Sequence, residues 1–185
     1  MADRNNHFGI IDILRILGGI LFFNAFFSWW FTSTPTWGYE GKWLNVHYLK
    51  HRITNDFVNL TIDELSLYNG TDPTLPIYIG INGRVYDVSS SRGIYGPKGS
   101  YNKLSGKDAA RVYVTGCFMN PEEYTYDLRE LDQREIDSDL THWIQFFDNH
   151  AKYWYVGEVK HDPIIGDPPK PCQHVKFPGV AHGNR

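Results

Sequence analysis

The sequence predicts an α+β domain carried behind one N-terminal membrane-crossing helix. Three observations predict it. A nearly unbroken apolar run fills residues 10–31. The pair Asn82-Gly83 separates two short β-prone runs. Helix-like and strand-like periods then alternate along the chain, as in a domain that packs helices against a sheet. The length of 185 residues suits one domain with accessories, and 42% hydrophobic against 21% charged residues is an ordinary globular balance. A net charge of -3 leaves no basic excess to neutralise phosphates, so no nucleic acid is expected as partner. The aromatic share of 16% fits a flat apolar pocket, a membrane interface or an aromatic-rich core. Cys117 and Cys172 have no metal spacing and form no disulfide framework, which on balance favours a reducing compartment.

Residues 1–9 form an N-terminal tail and 10–31 the anchor. From Ile16 to Phe31 only Asn24 and Ser28 carry polar side chains, and Ile10, Ile11, Ile13 and Leu14 extend the run upstream. That suffices for a bilayer, which needs about 20 apolar residues in helix. Asp12 and Arg15 fall near one headgroup layer, and Trp29, Trp30 and Phe31 where an aromatic belt lies. The competing readings are a buried core helix or an amphipathic surface helix. A cleaved signal peptide is disfavoured, because WWFTSTPTW offers no small-residue cleavage site. Arg4 and Arg15 precede the run, while Lys42, Lys50 and Arg52 follow it, which slightly favours a cytosolic C-terminal domain. Two sequons, Asn59-Leu60-Thr61 and Asn69-Gly70-Thr71, matter only if that domain is lumenal.

Residues 32–56 read as a linker, with Trp43, Tyr48 and Leu49 lying along the membrane or the domain. The folded domain is expected over 57–160. Thr61-Ile62-Asp63-Glu64 is a capping box that opens a short helix, which Asn69-Gly70 ends. The runs 76–81 and 84–88 flank Asn82-Gly83 and predict a hairpin. Residues 89–106 are loop-rich and a functional candidate. Lys107–Phe118 reads as a helix. Ile136, Leu140, Trp143, Ile144 and Phe147 recur at helical spacing within a second, Glu135–His150. Residues 153–159 read as a last strand, and 161–185 as a proline-rich, extended or disordered tail.

The segment Tyr95-Gly96-Pro97-Lys98-Gly99-Ser100-Tyr101 holds two phenols on a turn-rich stretch, with glycines that admit close backbone approach. It lacks the Gly-Lys-Ser/Thr ending of a phosphate loop. By itself it reads as two core tyrosines with bonded hydroxyls. In its wider setting it reads differently. Asp87-Val88, then the segment just quoted, then Gly106-Lys107-Asp108-Ala109-Ala110-Arg111 resembles the signature of the membrane-associated progesterone receptor family, a branch of the cytochrome b5-like fold. The Leu60–Leu65 stretch, the Asn82-Gly83 hairpin and Lys152-Tyr153-x-x-Val156-Gly157 follow in matching order, so the resemblance covers about residues 57–160.

The resemblance implies a b-type haem pocket. Tyr101 would be the axial iron ligand, Tyr95 would support the pocket by hydrogen bonding, and Lys152 with Tyr153 would close it. Gly106, Asp108 and Arg111 would shape the turn after the ligand. A free phenol has a pKa near 10, so ferric iron must favour its ionisation, with a nearby ammonium such as Lys152 assisting. An anionic oxygen donor favours ferric iron and a low potential, unlike a rapid electron shuttle. The family further implies an adaptor or modulator of cytochrome P450 enzymes or sterol metabolism at the endoplasmic reticulum, able to dimerise through an exposed haem face. Steroid binding is a weaker variant. The sequence also departs from the pattern. No His-Pro-Gly-Gly motif is present; His142 and His150 fall on the second helix and His174 and His182 in the tail. Lys103-Leu104-Ser105 stands where an aromatic residue is common, and Tyr113 where a smaller one is expected, either entering the pocket or packing against it. The competing reading is a haem-free, membrane-tethered module for protein interaction or lipid binding on the same scaffold. No nucleophile–base set, metal motif or nucleotide loop points to an enzyme.

Overall fold

The computed structural model describes residues 9–170 and Cys172. Arg4, His174 and His182 therefore lie outside the described residues. The chain divides into two compact units, 1–41 and 42–185.

In the first unit, α1 runs Ile10–Thr32, 23 residues. At about 1.5 Å per residue that is some 35 Å, enough for a hydrocarbon core of about 30 Å. None of its most apolar stretch is buried within the protein, so this is a candidate membrane span and not the core helix weighed above. The two polar side chains between Ile16 and Phe31 are both used. Asn24 Oδ1 accepts the Trp37 indole N–H at 3.2 Å, and Ser28 Oγ donates to the Thr34 carbonyl at 2.6 Å. The chain thus folds back on the helix end, where Ser33 adopts a left-handed conformation.

The second unit is built on a four-stranded sheet of β1 (Val58–Thr61), β2 (Tyr78–Ile81), β3 (Arg84–Asp87) and β4 (Trp154–Lys160), in the order β1-β4-β3-β2. The β1–β4 pair is parallel and the other pairs antiparallel. Asn82 and Gly83 take φ of 50° and 85°, as the two-residue hairpin turn requires. The capping box forms at the start of α3 (Ile62–Ser66). Thr61 Oγ1 accepts the Glu64 N–H at 3.2 Å, and Glu64 Oε2 accepts the Thr61 N–H at 2.8 Å.

Side chains alternate across the sheet. Ile77, Ile79, Ile81 and Tyr86 face α5 (Ala110–Thr115) and α6 (Gln133–Asn149). Tyr78, Val85, Trp154 and Val156 face α3 and α2 (Val46–Thr54). The second helix begins at its Asp132 cap, whose side chain accepts the Arg134 and Glu135 N–H groups. The first is shorter than the expected Lys107–Phe118. Lys107 is drawn into the sheet, its carbonyl accepting the Gly80 N–H at 2.8 Å, and Gly116 closes the helix in a left-handed conformation.

Two stretches differ from the sequence reading. The compact unit starts at Lys42, within the expected linker. Lys42 donates from its backbone to the Ala151 carbonyl at 2.7 Å, and the Tyr48 ring packs 5.4 Å from Trp154. The start of the tail, residues 161–170, is extended as expected but is tied down. His161 Nε2 lies 2.7 Å from Asp108, and its ring stacks on Tyr126 at 4.2 Å. Arg129 and Arg111 donate to the Gly166 and Pro169 carbonyls at 3.1 and 3.4 Å. Cys172 then forms a disulfide with Cys117 across 55 residues, which corrects the expectation of no disulfide. Spacing along a chain carries no information on proximity in space, and it is the folded-back tail that brings these two together.

Candidate functional site

The tyrosine loop begins in a one-turn helix, α4 (Arg92–Tyr95), and folds back on it. The Tyr101 N–H donates to the Ile94 carbonyl at 3.0 Å. Gly99 lies inside this coil, where a Cβ would collide with the Ile94 carbonyl, so only glycine fits. Two polar side chains lock the coil from beneath. Asn102 Nδ2 donates to the Tyr95 and Asn69 carbonyls at 2.9 and 3.1 Å, and Ser105 Oγ donates to the Tyr95 carbonyl at 2.7 Å. The sequence reading missed both. Their only signal is a polar residue flanking the second tyrosine, which a solvated loop shares.

The coil places two unlike tyrosines side by side. Tyr95 is 7% exposed and Tyr101 43% exposed, with ring centroids 6.3 Å apart. Buried Tyr153 meets Tyr95 edge-on at 5.8 Å, and Phe118 meets Tyr101 edge-on at 6.0 Å. Tyr95 and Tyr101 of one loop thus share an aromatic cluster with Tyr153, which is distant in sequence. Burial, with Tyr153 beside it, pushes the Tyr95 phenol well above its ordinary range, so it remains a neutral hydroxyl. Tyr153 is fixed on three sides. Its hydroxyl donates to Ser91 Oγ at 2.9 Å, Phe147 packs under it, and His150 stacks on it at 3.7 Å. Lys152 follows this pattern through its backbone: its N–H donates to His150 Nδ1 at 3.1 Å, and its carbonyl accepts Ser90 Oγ at 2.9 Å. His150, the residue that ends α6, is held neutral by burial and supports the pair from behind.

Tyr113 packs rather than pointing to solvent. It is 3% exposed and lies against Trp143 at 5.1 Å and Phe118 at 6.5 Å. Its hydroxyl is buried with no hydrogen-bond partner among the described residues. Burial, then the neighbouring Tyr95 and Asp108, push this phenol far up, so it persists as an unsatisfied donor. Leu104 is buried in the same core, taking apolar volume where the pattern has an aromatic ring.

The turn after the loop is fixed by Asp108, 3% exposed. Its carboxylate accepts N–H groups from Asn82 at 3.0 Å, Gly83 at 2.6 Å and Ala110 at 3.1 Å. Arg111 lies buried against Glu123 at 3.2 Å and donates to the Asp127 and Arg129 carbonyls. These residues shape the scaffold around the cluster. Among the described residues no group of three or more histidine, cysteine or acidic side chains could hold a metal.

Comparison with known proteins agrees with this architecture. The family model described as cytochrome b5-like haem/steroid binding domain matches residues 61–160. A probable steroid-binding protein 3 from Arabidopsis thaliana is 40% identical over 102 residues, 55% of this chain and 98% of that protein. A membrane-associated progesterone-binding protein 4 from the same plant is 44% identical over 116 residues, 62% of this chain but 44% of that protein. Neuferricin from Danio rerio is 33% identical over 137 residues, 73% of this chain and 50% of that protein. The chain therefore spans about half or less of these two longer relatives. A solution structure of a putative steroid-binding protein from Arabidopsis aligns over 56% of this chain and 97% of that one, with 40% identity and a TM-score of 0.49. The chain belongs to the cytochrome b5-like haem/steroid binding domain family, in its membrane-associated progesterone receptor branch.

Proposed function

We propose that this protein is a membrane-anchored haem-binding protein in which Tyr101 ligates the iron of a b-type haem. One observation carries the reading: a half-exposed phenol, Tyr101, stands beside buried, neutral Tyr95 and within an aromatic cluster whose Tyr113 hydroxyl has no partner among the described residues. A flat apolar ligand suits those ring faces, and an unsatisfied buried donor is the kind of group that a polar ligand edge satisfies. Haem supplies a ferric centre whose charge favours an anionic oxygen donor. The protein's own residues do the rest. Tyr101, held by the Ile94 carbonyl and the Gly99 coil, offers its oxygen in a fixed place. Tyr95 stays protonated, so it can donate a hydrogen bond and does not compete as a phenolate. Tyr153 is held in orientation by Ser91 and His150, while Lys152 brings positive charge to the same end of the domain.

The protein acts as an adaptor or modulator for cytochrome P450 enzymes or sterol metabolism in the endoplasmic reticulum membrane, not as an enzyme in its own right. A second copy can meet it through the open face of the haem. The test is the absorption spectrum of the full chain in detergent, titrated with haemin, for wild type and Tyr101→Phe. Wild type is expected to form a one-to-one ferric high-spin complex with a phenolate charge-transfer band, and Tyr101→Phe to lose it. If wild type takes up no specific haem, the chain is a membrane-tethered interaction or lipid-binding module instead.

A further inference from the structure

The binding reading leaves a disulfide and two sequons unused. Cys117 and Cys172 are joined in the folded domain, and the strand of chain leading to Cys172 is seated by Arg111, Arg129 and His161. The pairing thus belongs to a built contact between the tail and the domain. Such bonds persist in oxidising compartments and are rare where thiol buffers operate.

From this pairing and the placement of the sequons we infer that the domain faces the oxidising, extracytosolic side of its membrane and carries an N-linked glycan on Asn59. The inference rests on α1 crossing the membrane and is independent of haem; of the roles proposed above it favours sterol metabolism on the extracytosolic side over contact with cytosol-facing enzymes. Asn59 lies on β1, an edge strand of the sheet. The strand alternates half-buried and exposed residues, and Asn59 is on the exposed side. A glycan there projects into solvent and also covers a sheet edge that would otherwise invite pairing. Asn69 is placed differently. It is half-buried, its amide donates to the Ser66 carbonyl at 2.9 Å, and its carbonyl oxygen accepts from Thr71 Oγ1 at 2.6 Å. Its backbone carbonyl is also taken by Asn102 beneath the tyrosine loop. A sugar on that nitrogen would disturb a packed corner.

The charge balance that favoured the cytosol loses its force in the structure. Lys42 is folded into the domain, its Nζ donating to the Tyr153 carbonyl at 3.1 Å, and Lys50 and Arg52 lie on α2 of the same compact unit. The positive-inside rule counts short flanking loops, whereas folded domains translocate largely regardless of charge.

The experiment is expression of the full chain in eukaryotic cells as wild type, Asn59→Gln and Asn69→Gln. Gel mobility is read with and without peptide N-glycosidase. In parallel, thiols are trapped in acid and labelled with a polyethylene-glycol maleimide before and after reduction. Thr61 caps α3, so the sequon is better removed at Asn59, and Thr61→Ser should keep both the cap and the glycan. The expected result is one glycosidase-sensitive shift that Asn59→Gln abolishes and Asn69→Gln retains, with both cysteines unreactive until reduced. Two reactive thiols without a shift overturn the inference and place the domain in the cytosol. Protected thiols without a shift, or a shift lost only in Asn69→Gln, overturn the Asn59 assignment.

Discussion

Two buried groups make the residue-scale chemistry testable. The Tyr113 hydroxyl is sealed in the core without a partner among the described residues, and an unmet buried donor costs about 1–3 kcal/mol. Tyr113→Phe removes the donor and keeps the ring against Trp143 and Phe118. The apoprotein should therefore gain about 1 kcal/mol in urea unfolding. If the hydroxyl is satisfied by the bound ligand, haemin affinity should fall about tenfold in the same variant, one such hydrogen bond. A variant destabilised as apoprotein would show that the hydroxyl already has a partner. Asp87 is the second group. Burial raises its carboxyl above the ordinary range, against the opposing hydrogen bond from Ser89. A carboxyl with a raised folded-state pKa binds its proton more tightly when folded. Its stability cost is absent below the ordinary carboxylate range, grows as pH rises through that range, and is complete above the folded-state value. Asp87→Asn keeps the oxygen that accepts the Ser89 N–H and cannot ionise. It should be more stable than wild type at neutral pH, with the difference shrinking on acidification. Parallel melting curves across pH would sink the assignment.

At the scale of elements, what the sequence revealed depended on whether the signal was local. The capping box at Thr61, the hairpin at Asn82-Gly83 and the stripe on α6 are each contained within a few residues, and each forms as read. β1 was not anticipated, because four residues that pair in parallel with a strand nearly a hundred residues on carry no period of their own. The same reasoning explains Asn102, Ser105 and the Cys117–Cys172 bond, whose partners are set by how the loop and tail fold back. Asp108 shows how such long-range ties act. It fastens the hairpin turn to the start of α5 and receives His161 from the tail. Asp108→Ala leaves several buried N–H groups unpaired, and should cost roughly 3 kcal/mol or more. Because the tyrosine loop leads into this turn, haemin binding should weaken as well. Stability that falls without any change in binding would show that the loop is held independently, by Asn102 and Ser105.

At the scale of the whole molecule, the domain is larger than the stretch that matches the family. The family model begins at residue 61, and the sequence suggested a start at Phe57, yet the compact unit begins at Lys42. The added segment is not a tether lying loosely on the surface. Asn45 caps α2 by accepting the His47 and Tyr48 N–H groups, and the helix delivers Tyr48, 6% exposed, onto Trp154 of the central strand β4. Lys42 then reaches the Tyr153 carbonyl, one residue from that tryptophan and within the aromatic cluster of the candidate site. A chain starting at Lys42 should therefore be more stable than one starting at Phe57. Exposing Trp154 and losing the burial of Tyr48 corresponds to about 2–3 kcal/mol. Urea unfolding followed by tryptophan fluorescence measures it directly, since Trp154 reports on the contact that is lost. Because Tyr153 precedes Trp154 and borders Tyr95, the shorter chain should also bind haemin more weakly, linking the segment after the membrane helix to the occupancy of the site. Equal stability and equal binding in the two chains would reduce α2 to a spacer between membrane and domain.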